Sequence, residues 1–180
     1  MNAAMTGADL VYHHHRFTGF AKNNLLLIEG QRRLNTEPAL AKARIRVHPF
    51  EGTALLVGEA QTPEQKHIAE TLIQDLPGID EVVNRIVLAP VIATEQTLKD
   101  TWLSTKVRSQ IVLRGDFDPD EISLVTENNT VYLMGALTEP HAQQAITLAR
   151  ETEGVERVVT LITYLRPEKH LFHLHKKFQQ

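Results

Sequence analysis

The single tryptophan of the chain, Trp102, stands in a segment that carries most of its chemical promise, Lys99-Asp-Thr-Trp-Leu-Ser-Thr-Lys-Val-Arg-Ser-Gln-Ile-Val-Leu-Arg114. At about 100° per residue, Leu103, Val107 and Ile111 fall on one stripe, which must face a core. Trp102 projects about 100° away from Leu103, beside Lys99, Lys106, Ser109 and Leu113. An indole and a leucine bordered by ammonium groups make an amphipathic patch: the ring suits a headgroup boundary, and each cation near an anionic surface contributes on the order of 1 kcal/mol. Lys99, Lys106, Arg108 and Arg114 against Asp100 leave residues 98–114 at +3 within a chain of formal net charge −3. Ser109 and Gln110 offer hydrogen bonds to phosphate or glycerol. Arg108 points farther from Trp102 than the lysines do. The competing reading packs Trp102 against the preceding half of the chain or the linker.

Other chemistries find less support. His13, His14 and His15, with His170, His173 and His175, have donors that suit zinc, copper or nickel, but both clusters sit in segments expected to be tails without a rigid scaffold. Asp116, Asp118, Asp120 and Glu121 form an acidic run without the glycine, spacing or closing glutamate of a calcium loop. The expectation is therefore no metal and no cofactor. No phosphate loop, dinucleotide fingerprint, Gly-x-Ser-x-Gly or His-Glu-x-x-His occurs, so a non-enzymatic protein is expected. There is no cysteine, which removes disulfides, thiol catalysis and thiolate metal sites. Net charge gives no argument for nucleic acid, and the apolar run Leu25–Ile28 is far too short to span a membrane.

The elements that must position these residues are written twice. Ile45-Arg-Val, Thr53-Ala-Leu-Leu-Val-Gly58 and Pro63 return 77 positions later as Ile122-Ser-Leu, Thr130-Val-Tyr-Leu-Met-Gly135 and Pro140. After one deletion the match resumes at an offset of 76, pairing Gly78, Val82, Val83 and Ile86 with Gly154, Val158, Val159 and Ile162. Such a period implies one small domain built twice. Each copy has about 70 residues and a thin core, so the copies are expected to support one another.

Within each copy the signals run helix, strand, strand, helix, strand. Asn23-Asn24 caps the first helix of copy one, and Asp100 or Thr101 that of copy two. Gly30 weakens the first helix relative to alanine. Glu51-Gly52 and Asn128-Asn129 make hairpin turns. Gly58 and Gly135 interrupt the second strand and mark a bulge or a close approach; both are taken as structural. Pro63 and Pro140 open the second helix, and Gly78 and Gly154 lie past its end. The boundaries read as a flexible tail at 1–21, domains at 22–89 and 98–166, a linker at 90–97, and a basic, His-containing tail at 167–180.

This unit, with its mid-strand glycine and a closing Gly-Val-x-x-Val-Val strand, resembles the BON domain. The firmest likeness is Asp100–Gln110, Val125-Thr-Glu-Asn, Val131-Tyr-Leu-Met-Gly-Ala136 and Gly154-Val-Glu-Arg-Val-Val-Thr160. Two in tandem resemble the dual-BON outer-membrane lipoproteins of Gram-negative bacteria, the DolP group. The resemblance implies an α+β fold of two αββαβ domains, each a three-stranded mixed sheet against two helices. It implies a lipid-anchored protein on the periplasmic face of the outer membrane, binding anionic phospholipid through the first helix of the second domain and supporting envelope integrity. The alternative function is a protein-interaction module, docking to an outer-membrane assembly partner or to another copy. The lipidated cysteine of that group is missing, as expected if the chain begins just after it, and the tail from Pro167 departs from the group's usual ending.

Overall fold

The computed structural model describes the backbone of residues 7–92 and 94–165, and the side chains of 22–92 and 94–165. The chain divides into two compact units, Met1–Thr94 and Glu95–Gln180. Unit 1 runs α1 (Gly7–Thr36), β1 (Arg44–Phe50), β2 (Thr53–Ala60), α2 (Pro63–Gln74), β3 (Glu81–Asn84) and β4 (Val87–Leu88). Unit 2 runs α3 (Thr94–Arg114), β5 (Ile122–Glu127), β6 (Thr130–Thr138), α4 (Glu139–Glu151) and β7 (Arg157–Leu165). Each unit is thus α+β, with the αββαβ order.

Each sheet is mixed because its middle strand has a hairpin partner on one side and a crossover partner on the other. β2 pairs antiparallel with β1 and parallel with β3; β6 pairs antiparallel with β5 and parallel with β7. The hairpin turns place Glu51 and Gly52, and Asn128 and Asn129, at positive φ, which a tight hairpin requires of its central residues. Helices cover one face. In unit 1 Leu26 and Leu34 of α1 and Ala69 and Ile73 of α2 meet Ile45, Val47, Ala54 and Leu56. In unit 2 Val107 and Ile111 meet Ala145, Leu148, Val131 and Leu133. Gly30 finds its reason in that packing: a Cβ there would lie 3.0 Å from Val47 Cγ1 and 3.2 Å from Ile73 Cδ1. Its repeat counterpart is Val107.

Four expectations change. The first helix begins at Gly7, so residues 7–21, read as tail, are helical and Asn23-Asn24 is no cap; interior asparagine costs a helix only a fraction of 1 kcal/mol. α3 starts at Thr94, inside the expected linker, and takes in Glu95. Asp100 therefore lies within the helix rather than at its N-cap. The third strand of unit 1 is cut into β3 and β4, giving that sheet four strands where three were expected. Asn84 makes the cut: its Oδ1 accepts from Ile86 N at 3.1 Å while its Nδ2 donates to Lys66 O and Glu70. The register on either side is unchanged, Leu56 opposite Asn84 and Glu59 opposite Val87.

The paired glycines allow close approach. At Gly58, with φ +115°, a Cβ would collide with the carbonyl of Arg44; at Gly135 it would lie 2.7 Å from the carbonyl of Glu121. Only Gly58 of this pair has a positive φ.

Candidate lipid-binding site

α3 buries Leu103, Val107 and Ile111 as its spacing requires, and Asp100 with them. The opposite face carries large apolar groups in the open: Trp102 is 60% exposed, Leu98 66% and Leu113 78%, with Val112 also exposed. The face turned away from the core of unit 2 is therefore apolar where a surface helix is ordinarily polar. Leu98 and Val112 were not among the sequence candidates. Their i, i+4 relation to Trp102 and to Arg108 was the available signal.

Trp102 is held, not loose. Lys106 Nζ sits 4.9 Å from the centre of its ring and also bonds Glu153 O at 3.2 Å and Glu153 Oε2 at 3.3 Å. The ammonium thus bridges an indole face and a carboxylate, a cation–π contact reinforced by a salt bridge. Lys99 is engaged too, at 2.9 Å from Glu95. That hydrogen bond holds the Glu95 carboxyl below its ordinary range. Arg114 pairs with Glu151 and Gln110, each at 3.4 Å. With Glu95 counted beside Asp100, four cations against two carboxylates leave α3 at +2 instead of the expected +3.

The polar candidates have local duties. Ser109 Oγ donates to Thr105 O at 2.9 Å, and Gln110 Oε1 accepts from Arg114. Ser109 therefore keeps only acceptor capacity toward a phosphate. Arg108 is exposed on the other flank of the helix from the lysines.

Sequence reasoning missed what fixes this helix. Asp100, 1% exposed, accepts from Asn128 N at 2.8 Å and Asn129 N at 3.0 Å, and from Gln96 Nε2 at 3.1 Å. Gln96 Nε2 also reaches Asn129 Oδ1 at 3.0 Å. A buried carboxylate thus clamps α3 to the β5–β6 turn with charge-assisted bonds. Asn23 stands at the same place in the first copy.

The remaining candidates lie elsewhere. Gly58 and Gly135 belong to the sheets. His13, His14 and His15 fall in α1 where only the backbone is described, and His170, His173 and His175 lie outside the described residues. Asp118 caps the turn Pro119–Glu121 by accepting from Asp120 N at 3.0 Å. Among the described residues no group of three or more histidine and carboxylate side chains gathers as metal ligands.

Comparison with known proteins agrees with this architecture. Residues 31–90 and 99–166 match the family model of the BON domain. The chain is 30% identical over 125 residues to the outer membrane lipoprotein DolP of Haemophilus influenzae, covering 69% of this chain and 65% of that one. It is 31% identical over 125 residues to a 21 kDa hemolysin of Actinobacillus pleuropneumoniae, covering 69% of this chain and 64% of that one. The match thus spans about 65% of the length of these curated relatives. The C-terminal domain of CdsD, a structural protein of the type III secretion system of Chlamydia trachomatis, covers 79% of this chain and 67% of its own at 14% identity, with a TM-score of 0.32. So low a score carries no argument.

Proposed function

The chain belongs to the BON domain family, with one such domain in each unit, and on that premise we propose a non-enzymatic envelope protein that binds anionic phospholipid through α3. Its place is the periplasmic face of the outer membrane, where it supports envelope integrity. The relationship to an outer membrane lipoprotein supports the location. Among the described residues no helix is long and apolar enough to cross a membrane, in keeping with attachment by surface contact or by a lipid. This sequence has no cysteine, so a lipidated cysteine would have to lie outside it.

The observation that carries the reading is the outward face of Leu98, Trp102 and Leu113, flanked by Lys99, Lys106 and Arg108. The apolar groups enter the headgroup boundary and the cations meet phosphate. Lys99 and Lys106 would exchange their carboxylate partners for headgroups, which makes their net contribution smaller than that of an unpaired cation.

Co-sedimentation with phosphatidylglycerol vesicles tests this. Trp102→Glu, at an exposed position, leaves the fold intact and weakens binding on the order of a hundredfold, by losing aromatic burial and adding a repelled charge. Unchanged binding by that variant refutes the proposal. The small ridge Thr101, Thr105, Ser109 on the same face would also let another helix approach closely, which favours a protein partner as the second reading. Such an interface has fixed stoichiometry without lipid, whereas lipid binding needs anionic headgroups and falls with salt.

A further inference from the structure

An open groove of about 530 Å³ runs along the exposed side of α3, walled by Thr101, Thr105, Ser109, Val112 and Leu113, with Arg108 at its flank. Its hydroxyls are already committed. Thr101 Oγ1 donates to Thr97 O at 2.9 Å, Thr105 Oγ1 to Thr101 O at 3.1 Å, and Ser109 Oγ to Thr105 O at 2.9 Å. Ser104, deeper in the groove, donates to Thr126 Oγ1 at 2.8 Å. Covering these groups with hydrocarbon leaves no hydroxyl proton without a partner, so a wall of four Thr and Ser residues behaves as a surface of methyl and methylene groups. The same commitment means that an arriving phosphate finds no hydroxyl donor there.

Arg108 is the donor that remains. Lys99 is paired with Glu95, Lys106 with Glu153 and Arg114 with Glu151. Among the described residues no carboxylate stands within ion-pair distance of the Arg108 guanidinium, and its planar fork matches two phosphate oxygens.

We propose that the groove takes a single phospholipid molecule, its phosphodiester on the Arg108 guanidinium and an acyl chain against the Thr101, Thr105 and Ser109 ridge toward Val112 and Leu113. This rests on the membrane-binding role given to α3 above and moves the headgroup contact from the lysine flank to the arginine flank. Arg108 becomes the residue that requires a phosphate, and Trp102 the residue that requires an interface.

The test is a nuclear magnetic resonance titration of the full chain with dihexanoyl phosphatidylglycerol below its micelle concentration, beside vesicle co-sedimentation. Saturable shifts are expected at the methyls of Thr101 and Thr105 and at the Arg108 side chain. Arg108→Gln should weaken both kinds of binding by about fivefold or more, Arg108→Lys by less, and Lys99→Gln by less than about twofold. Glycerophosphoglycerol, which has no acyl chains, should not saturate the site. Saturation by it at Arg108 would make this a simple anion site and overturn the proposal. So would Arg108→Gln binding as wild type, or shifts confined to the lysine flank. If Arg108→Gln binds vesicles normally while Trp102→Glu does not, the groove assignment fails and the membrane reading stands. Normal binding by both variants removes the membrane reading as well.

Discussion

Replacing Asp100 with alanine should loosen the second unit more than any other single truncation on α3 outside the apolar stripe. The side chain is fully buried and takes two backbone N–H donors from the hairpin turn and one amide N–H from Gln96. A hydrogen bond to a charged group contributes about 1.5–3 kcal/mol, and an abandoned donor costs further unless water reaches it. Water does reach part of this turn, since Asn128 is exposed. The net loss is therefore set at about 2–4 kcal/mol, nearer one strong bond plus a partly rescued donor than the full sum. Asp100→Asn keeps the shape but turns an amide N–H toward a backbone N–H, and should lose about 1–3 kcal/mol. Urea denaturation followed by tryptophan fluorescence reads this directly, because the only tryptophan stands two residues away on the same helix. Asn23→Ala, at the matching position of the first copy, serves as control and should change stability by less than about 0.5 kcal/mol. A loss under about 0.5 kcal/mol in Asp100→Ala would refute the clamp.

The two mid-strand glycines should respond unequally. Gly58→Ala combines a positive φ with a collision against the Arg44 carbonyl and should cost about 3 kcal/mol or prevent folding of unit 1, whereas Gly135→Ala should cost about 1–2 kcal/mol; circular dichroism melts giving the reverse order would contradict this. His48 should make stability fall in mild acid. Burial, and then the neighbouring charge of Arg46, depress its pKa to about 4 from 6.5, and its Nε2 has no hydrogen-bond partner. The unfolded chain therefore takes up a proton first: stability from this group is complete above about pH 6.5 and is lost as pH falls toward 4, by at most about 3 kcal/mol and less in proportion to its partial exposure. His48→Gln should flatten that part of the stability profile, and an unaltered slope would sink the assignment.

The duplicated apolar spacing and the glycine positions made the element order legible, because cores and turns are read from local period and φ requirements. Gly30 was legible only as a cost: the reason for it, Val47 and Ile73 crossing close by, involves residues far along the chain. Asp100 shows the same limit. An Asp near a helix start has the composition of a cap, and nothing local shows that its acceptors serve Asn128 and Asn129. The cut at Asn84 was hidden because apolar residues on both sides suit one strand, while the side chain that competes for the backbone is a single polar residue. Trp102 and its lysines were legible as a patch from helical spacing. Their occupation by Glu95 and Glu153 was not, since Glu153 comes from another element. The i, i+4 series Thr101, Thr105, Ser109 could have been read from sequence as a self-bonding ridge.

β6 and β7 remain in register over nine residue pairs, whereas the corresponding seam in unit 1 is divided into four pairs and two. Amide exchange should record that difference as two regimes. Protons along β7 are released only when much of unit 2 opens together, but those of β4 need just a short ladder to part, with Val87 and Leu88 already exposed. The first copy thus ends in a segment able to open while its core stays closed, and the second ends in one bound to the opening of its whole sheet.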